Sequence, residues 1–179
     1  MTLPNAITIL RILLVPPFVI LLLRRDIGPA LGVFAVASIS DLLDGYLARK
    51  LKRVTRIGAF LDPLADKLLA GSAFILLAVR EVIPEWLTVI VLSRELLLLL
   101  GFYLLSILQV PIEVAPSRVG KVNTALQLGT VCVALVTILP GPWRGLSGTW
   151  PLFALFVATA VTTIVSGAQY LLRGLRKVN

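Results

Sequence analysis

Four aspartates in the first half of the chain have the residue type and the spacing to hold metal ions. They lie in the segment DLLDGYLARKLKRVTRIGAFLDPLADK and are Asp41, Asp44, Asp62 and Asp66. The first two are three residues apart and the last two are four apart, so on helices each pair shares one face. Because the chain has no histidine, the cluster is an all-oxygen site, which suits hard cations such as Mg²⁺, Mn²⁺ or Ca²⁺. Two divalent ions would balance these four carboxylates, and paired metal ions commonly assist displacement at phosphorus.

Small and basic residues accompany the aspartates. Gly45 and Ala48 follow the first pair by about one helical turn, and Gly58 precedes the second pair. Small side chains leave backbone room for a bulky ligand, and the Arg49 guanidinium has the planar shape that suits phosphate. Small residues in membrane helices more often indicate helix packing. Their fixed spacing from the aspartates favours the ligand interpretation here.

The elements that position these residues are membrane helices. The chain has 179 residues, of which 58% are hydrophobic, and this composition predicts an integral membrane protein with one domain, residues 1–179. We expect an all-α bundle, because six apolar runs are long enough, or nearly so, to cross a bilayer. These runs are Ile7–Leu23, Pro29–Leu47, Phe60–Val79, Pro84–Leu108, Lys121–Leu139 and Trp150–Leu172.

The basic residues predict which way this bundle faces. Six crossings put both termini on one side, and that side carries eleven Lys and Arg residues against four in the opposite loops. The positive-inside rule then places the termini and the polar cavity around the aspartates in the cytoplasm, in a cell inner or plasma membrane. The pair Arg24 and Arg25 lies on the opposite side and does not fit this trend.

Two further functions are excluded or disfavoured by composition. The net charge of +8 comes without a basic surface interleaved with aromatic residues, so we expect no nucleic-acid partner, and the excess charge is typical of contact with anionic lipid headgroups. Cys132 is the single cysteine, which excludes a disulfide framework and, with no histidine, a conventional zinc site.

Besides the aspartates, two basic residues remain inside the predicted spans, Lys67 and Arg94, with Glu95 beside the latter. Ionisable groups at membrane depth are usually functional. For Glu95 a structural ion pair between helices and a functional role are both open. Lys67 directly follows Asp66, which favours a supporting role.

The pattern around the aspartates resembles the complete signature of the CDP-alcohol phosphatidyltransferase family. Eight fixed residues over 26 positions match without a departure: Asp41-x2-Asp44-Gly45-x2-Ala48-Arg49-x8-Gly58-x3-Asp62-x3-Asp66. The segment Leu3-Pro4-Asn5 with Thr8 and Arg11 is similar to the family's N-terminal segment. The resemblance implies a six-helix bundle, usually a homodimer, with a polar cavity open to the cytoplasm.

The resemblance also implies the role of each residue. The four aspartates would bind two Mg²⁺ or Mn²⁺ ions, and Asp66 would in addition act as the general base. Residues that would bind or make room for CDP-diacylglycerol are Asn5, Gly45, Ala48, Arg49, Thr55 and Gly58. The donor is a lipid whose pyrophosphate lies near the membrane surface, which explains carboxylates at that depth.

The acceptor alcohol is less strongly indicated. Arg94, Arg118 and Lys121 are the basic residues near the cavity mouth that remain unassigned, and the last two share a helix face. They predict an acceptor that carries phosphate, although a basic cluster that only sets topology is the alternative.

Two branches of the family are similar to this chain. Length and layout resemble the bacterial phosphatidylglycerophosphate synthases, whose acceptor is glycerol 3-phosphate, although those enzymes usually have an arginine where Phe102 stands. The segments VGKVNTALQL and ALGVFAVASISDLLDG resemble the eukaryotic-type cardiolipin synthases, whose acceptor is phosphatidylglycerol. We expect glycerol 3-phosphate, with phosphatidylglycerol as the alternative.

Two other classes of membrane protein also have aspartates inside their membrane spans. An ion carrier or proton relay often shows repeated halves, and the chain has no internal repeat. An intramembrane aspartyl protease would need a Tyr-Asp partner motif, which is absent. The eight-residue signature therefore favours the transferase.

Overall fold

The computed structural model describes the backbone of residues 3–51, 56–107, 118–142 and 149–178, and the side chains of 9–40, 67–101, 103, 119–142 and 149–172. Within these residues the chain is all-helical, as the sequence predicts, and has no strand. The helices are α1 (Leu3–Leu23), α2 (Ile27–Leu51), α3 (Arg56–Val79), α4 (Glu85–Ile107), α5 (Arg118–Thr137) and α6 (Trp150–Val178).

Several helices extend beyond the apolar runs that predict them. α2 continues to Leu51 rather than Leu47, and α6 continues to Val178 rather than Leu172. Lysine, arginine and leucine are good helix formers, so the backbone stays helical after the apolar run has ended. Hydropathy therefore locates the apolar part of each helix, while its ends depend on helix propensity and on breakers such as Gly and Pro.

The core forms where α1, α2, α3 and α5 meet. α1 packs against both α2 and α3, and α5 packs against α2, α3 and α6. Phe18 of α1 and Phe34 of α2 are fully buried, and their ring centroids are 5.5 Å apart. Phe74 of α3 and Leu135 of α5 complete this buried cluster. α4 joins the bundle through contacts with α6 and α3, so α6 links α4 to α5.

Two helices in the described part of the chain are long and apolar enough to cross a membrane. They span Val119–Thr137 in α5 and Trp150–Leu172 in α6. Shorter apolar stretches occupy Ile9–Leu23, Ile27–Ser40 and Lys67–Val79. Large apolar side chains point outward along the bundle, among them Leu13, Val79 and Ile164, as expected for contact with lipid. The six helices are confirmed, and six membrane crossings stay a prediction.

Candidate functional site

The signature aspartates lie on two helices at matching distances from the helix ends. Asp41 and Asp44 lie in the second half of α2, and Asp62 and Asp66 lie in the first half of α3. From the helical rise of 1.5 Å per residue, Asp41 is about 15 Å from the end of α2, and Asp66 is about 15 Å from the start of α3. Asp44 is about 10.5 Å from the end of α2, and Asp62 is about 9 Å from the start of α3. Because both helices pack against α1, this spacing favours one site at one depth.

The side chains of the predicted donor site lie outside the described residues. In the backbone, Gly45, Ala48 and Arg49 belong to α2, Gly58 to α3 and Asn5 to α1. Thr55 lies outside the described residues altogether. Among the side chains that the structure describes, no group of three potential metal ligands occurs. The metal ligands and the nucleotide contacts therefore stay predictions.

A described ion-pair network begins one residue after the aspartates. The Lys67 ammonium of α3 lies 2.9 Å from Glu95 Oε2 of α4, and the other carboxylate oxygen pairs with the Arg94 guanidinium. Arg94 also donates a hydrogen bond of 3.0 Å to Ser166 Oγ of α6. The three charged side chains are only 13–16% exposed, so little water screens the pairs. This network connects α3, α4 and α6 at the level of Asp66.

The network favours a structural role for two of its members. Glu95 accepts from two cations at once, so both of its carboxylate oxygens are engaged within the bundle. Lys67 donates to Glu95, which agrees with the supporting role that its position suggests. Arg94 has two guanidinium nitrogens engaged, while its Nε has no partner among the described residues. Arg94 could therefore bind an acceptor phosphate only while it also holds Glu95 and Ser166.

A small residue allows α4 and α6 to approach closely at Gly101. A Cβ there would lie 3.0 Å from the Tyr170 ring of α6, which is tighter than an ordinary contact. At Gly167, nearer to the Arg94–Ser166 hydrogen bond, a Cβ would lie 3.5 Å from Cγ of Arg94, which is ordinary van der Waals contact.

The other two predicted acceptor residues are not brought together with Arg94 by any described contact. Lys121 is exposed near the start of α5. Arg118 is the first residue of the same helix, and its side chain lies outside the described residues. Their assignment to the acceptor phosphate stays a prediction.

The structure reveals a buried polar contact between α5 and α6 that the sequence argument did not identify. Asn123 is fully buried, and its Oδ1 accepts hydrogen bonds from Thr163 at 2.7 Å and from Thr162 at 3.2 Å. Two turns further along α5, the hydroxyls of Thr130 and Thr159 are 2.7 Å apart. The signal in the sequence is the helical spacing of Asn123, Gln127 and Thr130 in an apolar helix, which places three polar residues on one face.

One basic residue assigned to topology is in fact buried. Arg11 in α1 is 1% exposed, although the positive-inside count treats it as a residue of the cytoplasmic side. A guanidinium this deeply buried needs polar or charged groups around it. Arg11 therefore belongs to the interior of the bundle and contributes to its packing.

Comparison with known proteins identifies the family. The family model of the CDP-alcohol phosphatidyltransferases matches residues 1–167. A Bacillus subtilis protein named CDP-diacylglycerol–glycerol-3-phosphate 3-phosphatidyltransferase is 38% identical over 94% of this chain and 92% of its own length. A probable phosphatidylglycerophosphate synthase of Mycobacterium tuberculosis is 37% identical over 98% of this chain and 83% of its own length. The rat cardiolipin synthase (CMP-forming) is 34% identical over 94% of this chain, which spans 60% of that protein.

The chain belongs to the CDP-alcohol phosphatidyltransferase family, which confirms the resemblance seen in its signature. It is an enzyme that transfers a phosphatidyl group in phospholipid synthesis. The apolar helices and the bacterial relatives together indicate a membrane protein.

Proposed function

We propose that the enzyme transfers the phosphatidyl group of CDP-diacylglycerol to the hydroxyl of glycerol 3-phosphate, giving phosphatidylglycerophosphate and CMP. The observation that carries this choice is the similarity to the Bacillus subtilis enzyme of that name, which extends over nearly the full length of both chains. The basic residues Arg94, Arg118 and Lys121 support it, since a phosphate-bearing acceptor needs cationic partners.

Divalent metal ions fit the donor set that the chain offers. α2 and α3 each carry two aspartates at helical spacing, and matching distances from the helix ends would bring all four to one depth. Asp41, Asp44, Asp62 and Asp66 would hold two Mg²⁺ or Mn²⁺ ions. When bound, these ions supply charge neutralisation for the pyrophosphate and for the departing CMP.

Asp66 has the position and chemistry of the general base. In the proposed reaction its carboxylate takes the proton from the acceptor hydroxyl, whose oxygen attacks the phosphorus bonded to diacylglycerol. The bond from that phosphorus to the CMP oxygen breaks. Lys67 is held by Glu95 2.9 Å away, so the turn that carries Asp66 is fixed against α4.

The donor nucleotide would be bound by residues around the aspartates. Gly45, Arg49 and Thr55 would contact the CDP moiety, and Asn5 of α1 would complete the nucleotide pocket. Ala48 and Gly58 would leave space for the ligand, as expected where a nucleotide approaches helix backbones.

The proposed arrangement in the membrane follows from charge. We propose one domain over residues 1–179, six crossings, cytoplasmic termini and a cavity open to the cytoplasm, where glycerol 3-phosphate is dissolved. The acyl chains of the donor stay in the bilayer while CDP enters the cavity. The active form is proposed to be a homodimer.

A second candidate function has its own support. The similarity to the rat cardiolipin synthase covers most of this chain, and VGKVNTALQL at the start of α5 resembles that branch. Asn123 within this segment is a buried residue that contacts α6, which gives the segment a structural part in the bundle. In this alternative, phosphatidylglycerol is the acceptor and cardiolipin the product.

A direct assay decides between the two acceptors. Purified enzyme is given CDP-diacylglycerol with glycerol 3-phosphate or with phosphatidylglycerol, and the lipid product is identified by mass spectrometry. We expect phosphatidylglycerophosphate from the first mixture and no cardiolipin from the second. Cardiolipin from phosphatidylglycerol, with no product from glycerol 3-phosphate, would reverse the choice of acceptor. CMP release in neither mixture, with other alcohols also inactive, would contradict the transferase itself.

A further inference from the structure

A second polar cavity lies at the end of the bundle opposite to the aspartates. It has a volume of about 690 Å³ and is lined by residues from the α1–α2 turn, the end of α3 and the segment after α5: Leu23, Arg25, Ile27, Val79, Arg80, Val82, Ile138 and Pro140. Asp41 lies fourteen residues after Ile27 on the same helix, which is roughly 21 Å along α2. This cavity is therefore separate from the proposed catalytic site.

Two arginines face this cavity together. Arg80 donates a hydrogen bond to the Leu22 carbonyl at the end of α1, which fixes its guanidinium beside the α1–α2 turn. Burial lowers the pKa of Arg80 from its usual value, and the nearby positive charge of Arg25 lowers it further. Two guanidinium groups that line one cavity repel each other, and an anion bound between them would relieve this repulsion.

No described carboxylate neutralises this pair. Asp26 is adjacent to Arg25 in the sequence but forms no ion pair with either arginine within the described part of the chain. Glu81 follows Arg80 and lines a different cavity, beside Trp150 of α6. The described residues thus provide no carboxylate partner for either arginine.

The backbone at Arg25 also shows that its side chain is placed there at a cost. Arg25 has φ of 67°, and its N–H bonds to the Leu22 carbonyl, so it occupies the left-handed position that ends a helix. Glycine is favoured at such a position, and another residue there costs about 1 kcal/mol. Arginine at this position adds to the lining of the cavity a cation that glycine could not supply.

From this geometry we propose that the cavity binds the phosphate of an anionic ligand through the guanidinium groups of Arg25 and Arg80. Its other walls are apolar, formed by Leu23, Ile27, Val79 and Ile138. Apolar walls beside a phosphate site match a phospholipid, whose acyl chains continue along the helices, better than a free phosphate ion. The site would thus hold an anionic phospholipid at the membrane surface away from the aspartates, independently of the reaction that they perform.

Adjacent arginines provide a matched test. Arg25→Asn removes one charge from the cavity and keeps the left-handed backbone, which asparagine tolerates. Arg24→Asn removes the same charge from the same turn, at a residue that does not line the cavity. Arg80→Lys keeps a positive charge and a donor for the Leu22 carbonyl but loses the planar fork, so it tests the site without removing the link to α1.

Native mass spectrometry of the purified enzyme, titrated with phosphatidylserine, measures lipid binding at this site. Phosphatidylserine is an anionic lipid that is neither the proposed donor nor an acceptor. We expect the wild type and Arg24→Asn to retain this lipid over phosphatidylcholine, and Arg25→Asn to bind it about five-fold more weakly. Arg80→Lys should also weaken binding. Equal retention by the wild type and all three variants would overturn the proposal.

A second experiment distinguishes a phospholipid from inorganic phosphate as the ligand of this cavity. Inorganic phosphate is added to the wild type without lipid, and its effect on the melting temperature is compared with that of phosphatidylserine. Stabilisation by phosphatidylserine alone supports a lipid site. Equal stabilisation by inorganic phosphate, lost in Arg25→Asn, would overturn the lipid assignment in favour of a small anion.

Discussion

The Lys67 ammonium lies 2.9 Å from a carboxylate oxygen of Glu95, and this pair joins the helix that carries Asp62 and Asp66 to α4. The same carboxylate holds Arg94, which bonds to Ser166 of α6. One carboxylate thus links three helices around the proposed catalytic aspartates. The stability of the bundle and the position of Asp66 are expected to depend on it.

Replacing Glu95 should therefore reduce stability. Glu95→Gln leaves Lys67 and Arg94 as partly buried cations without a carboxylate, and breaking such a network costs on the order of 3 kcal/mol. We expect a lower melting temperature in detergent. Glu85→Gln is the matched control, because Glu85 lies in the same helix but is exposed. Equal melting temperatures for the two variants would show that the network contributes no stability.

Asp66→Asn should abolish turnover. An amide cannot take the proton of the acceptor hydroxyl, and general base catalysis typically contributes about 10²–10⁴ in rate. Release of radiolabelled CMP from CDP-diacylglycerol measures the loss, while CDP-lipid binding should largely survive. Asp26→Asn, in the turn at the opposite end of α2, should keep wild-type activity. Activity of Asp66→Asn within a few-fold of wild type would remove this residue from the role of base.

Removal of divalent cations should stop the reaction. A chelator is expected to inactivate the enzyme, and Mg²⁺ or Mn²⁺ should restore activity because the proposed ligands are all oxygens. Zn²⁺ should restore it poorly, since the chain has no histidine and its single cysteine, Cys132, lies in α5. Full activity in excess chelator would contradict catalysis with bound metal ions.

The buried Asn123 side chain of α5 offers a test of how α5 and α6 are held together. Asn123→Ala and Thr163→Val each remove one side of the 2.7 Å hydrogen bond, and each should destabilise the protein by about 1 kcal/mol. In a double-mutant cycle the combined loss should be smaller than the sum, because the bond can be lost only once. Additive losses in thermal unfolding would show that the two side chains do not interact.

The sequence predicted more of the fold than of the contacts. Six apolar runs predicted six helices, and the eight-residue signature between Asp41 and Asp66 predicted the family, because both signals are local along the chain. The partners of Glu95 could not be predicted, since they depend on which helices become neighbours. Ser166 lies 72 positions after Arg94, and nothing local to either residue indicates that they meet. The Asn123–Thr163 contact could not be predicted from the sequence for the same reason.

The orientation in the membrane gives the last prediction, because it decides whether the aspartates meet a water-soluble acceptor in the cytoplasm. The basic residues favour cytoplasmic termini, which places position 52 inside and position 147 outside. The native thiol is first removed by Cys132→Ala, and single cysteines are then introduced as Lys52→Cys or Ser147→Cys. An impermeant thiol reagent added to intact cells should label the second variant alone, and both should be labelled after the membrane is opened. Labelling of Lys52→Cys in intact cells, with none of Ser147→Cys, would reverse the topology and place the proposed catalytic cavity on the outer side.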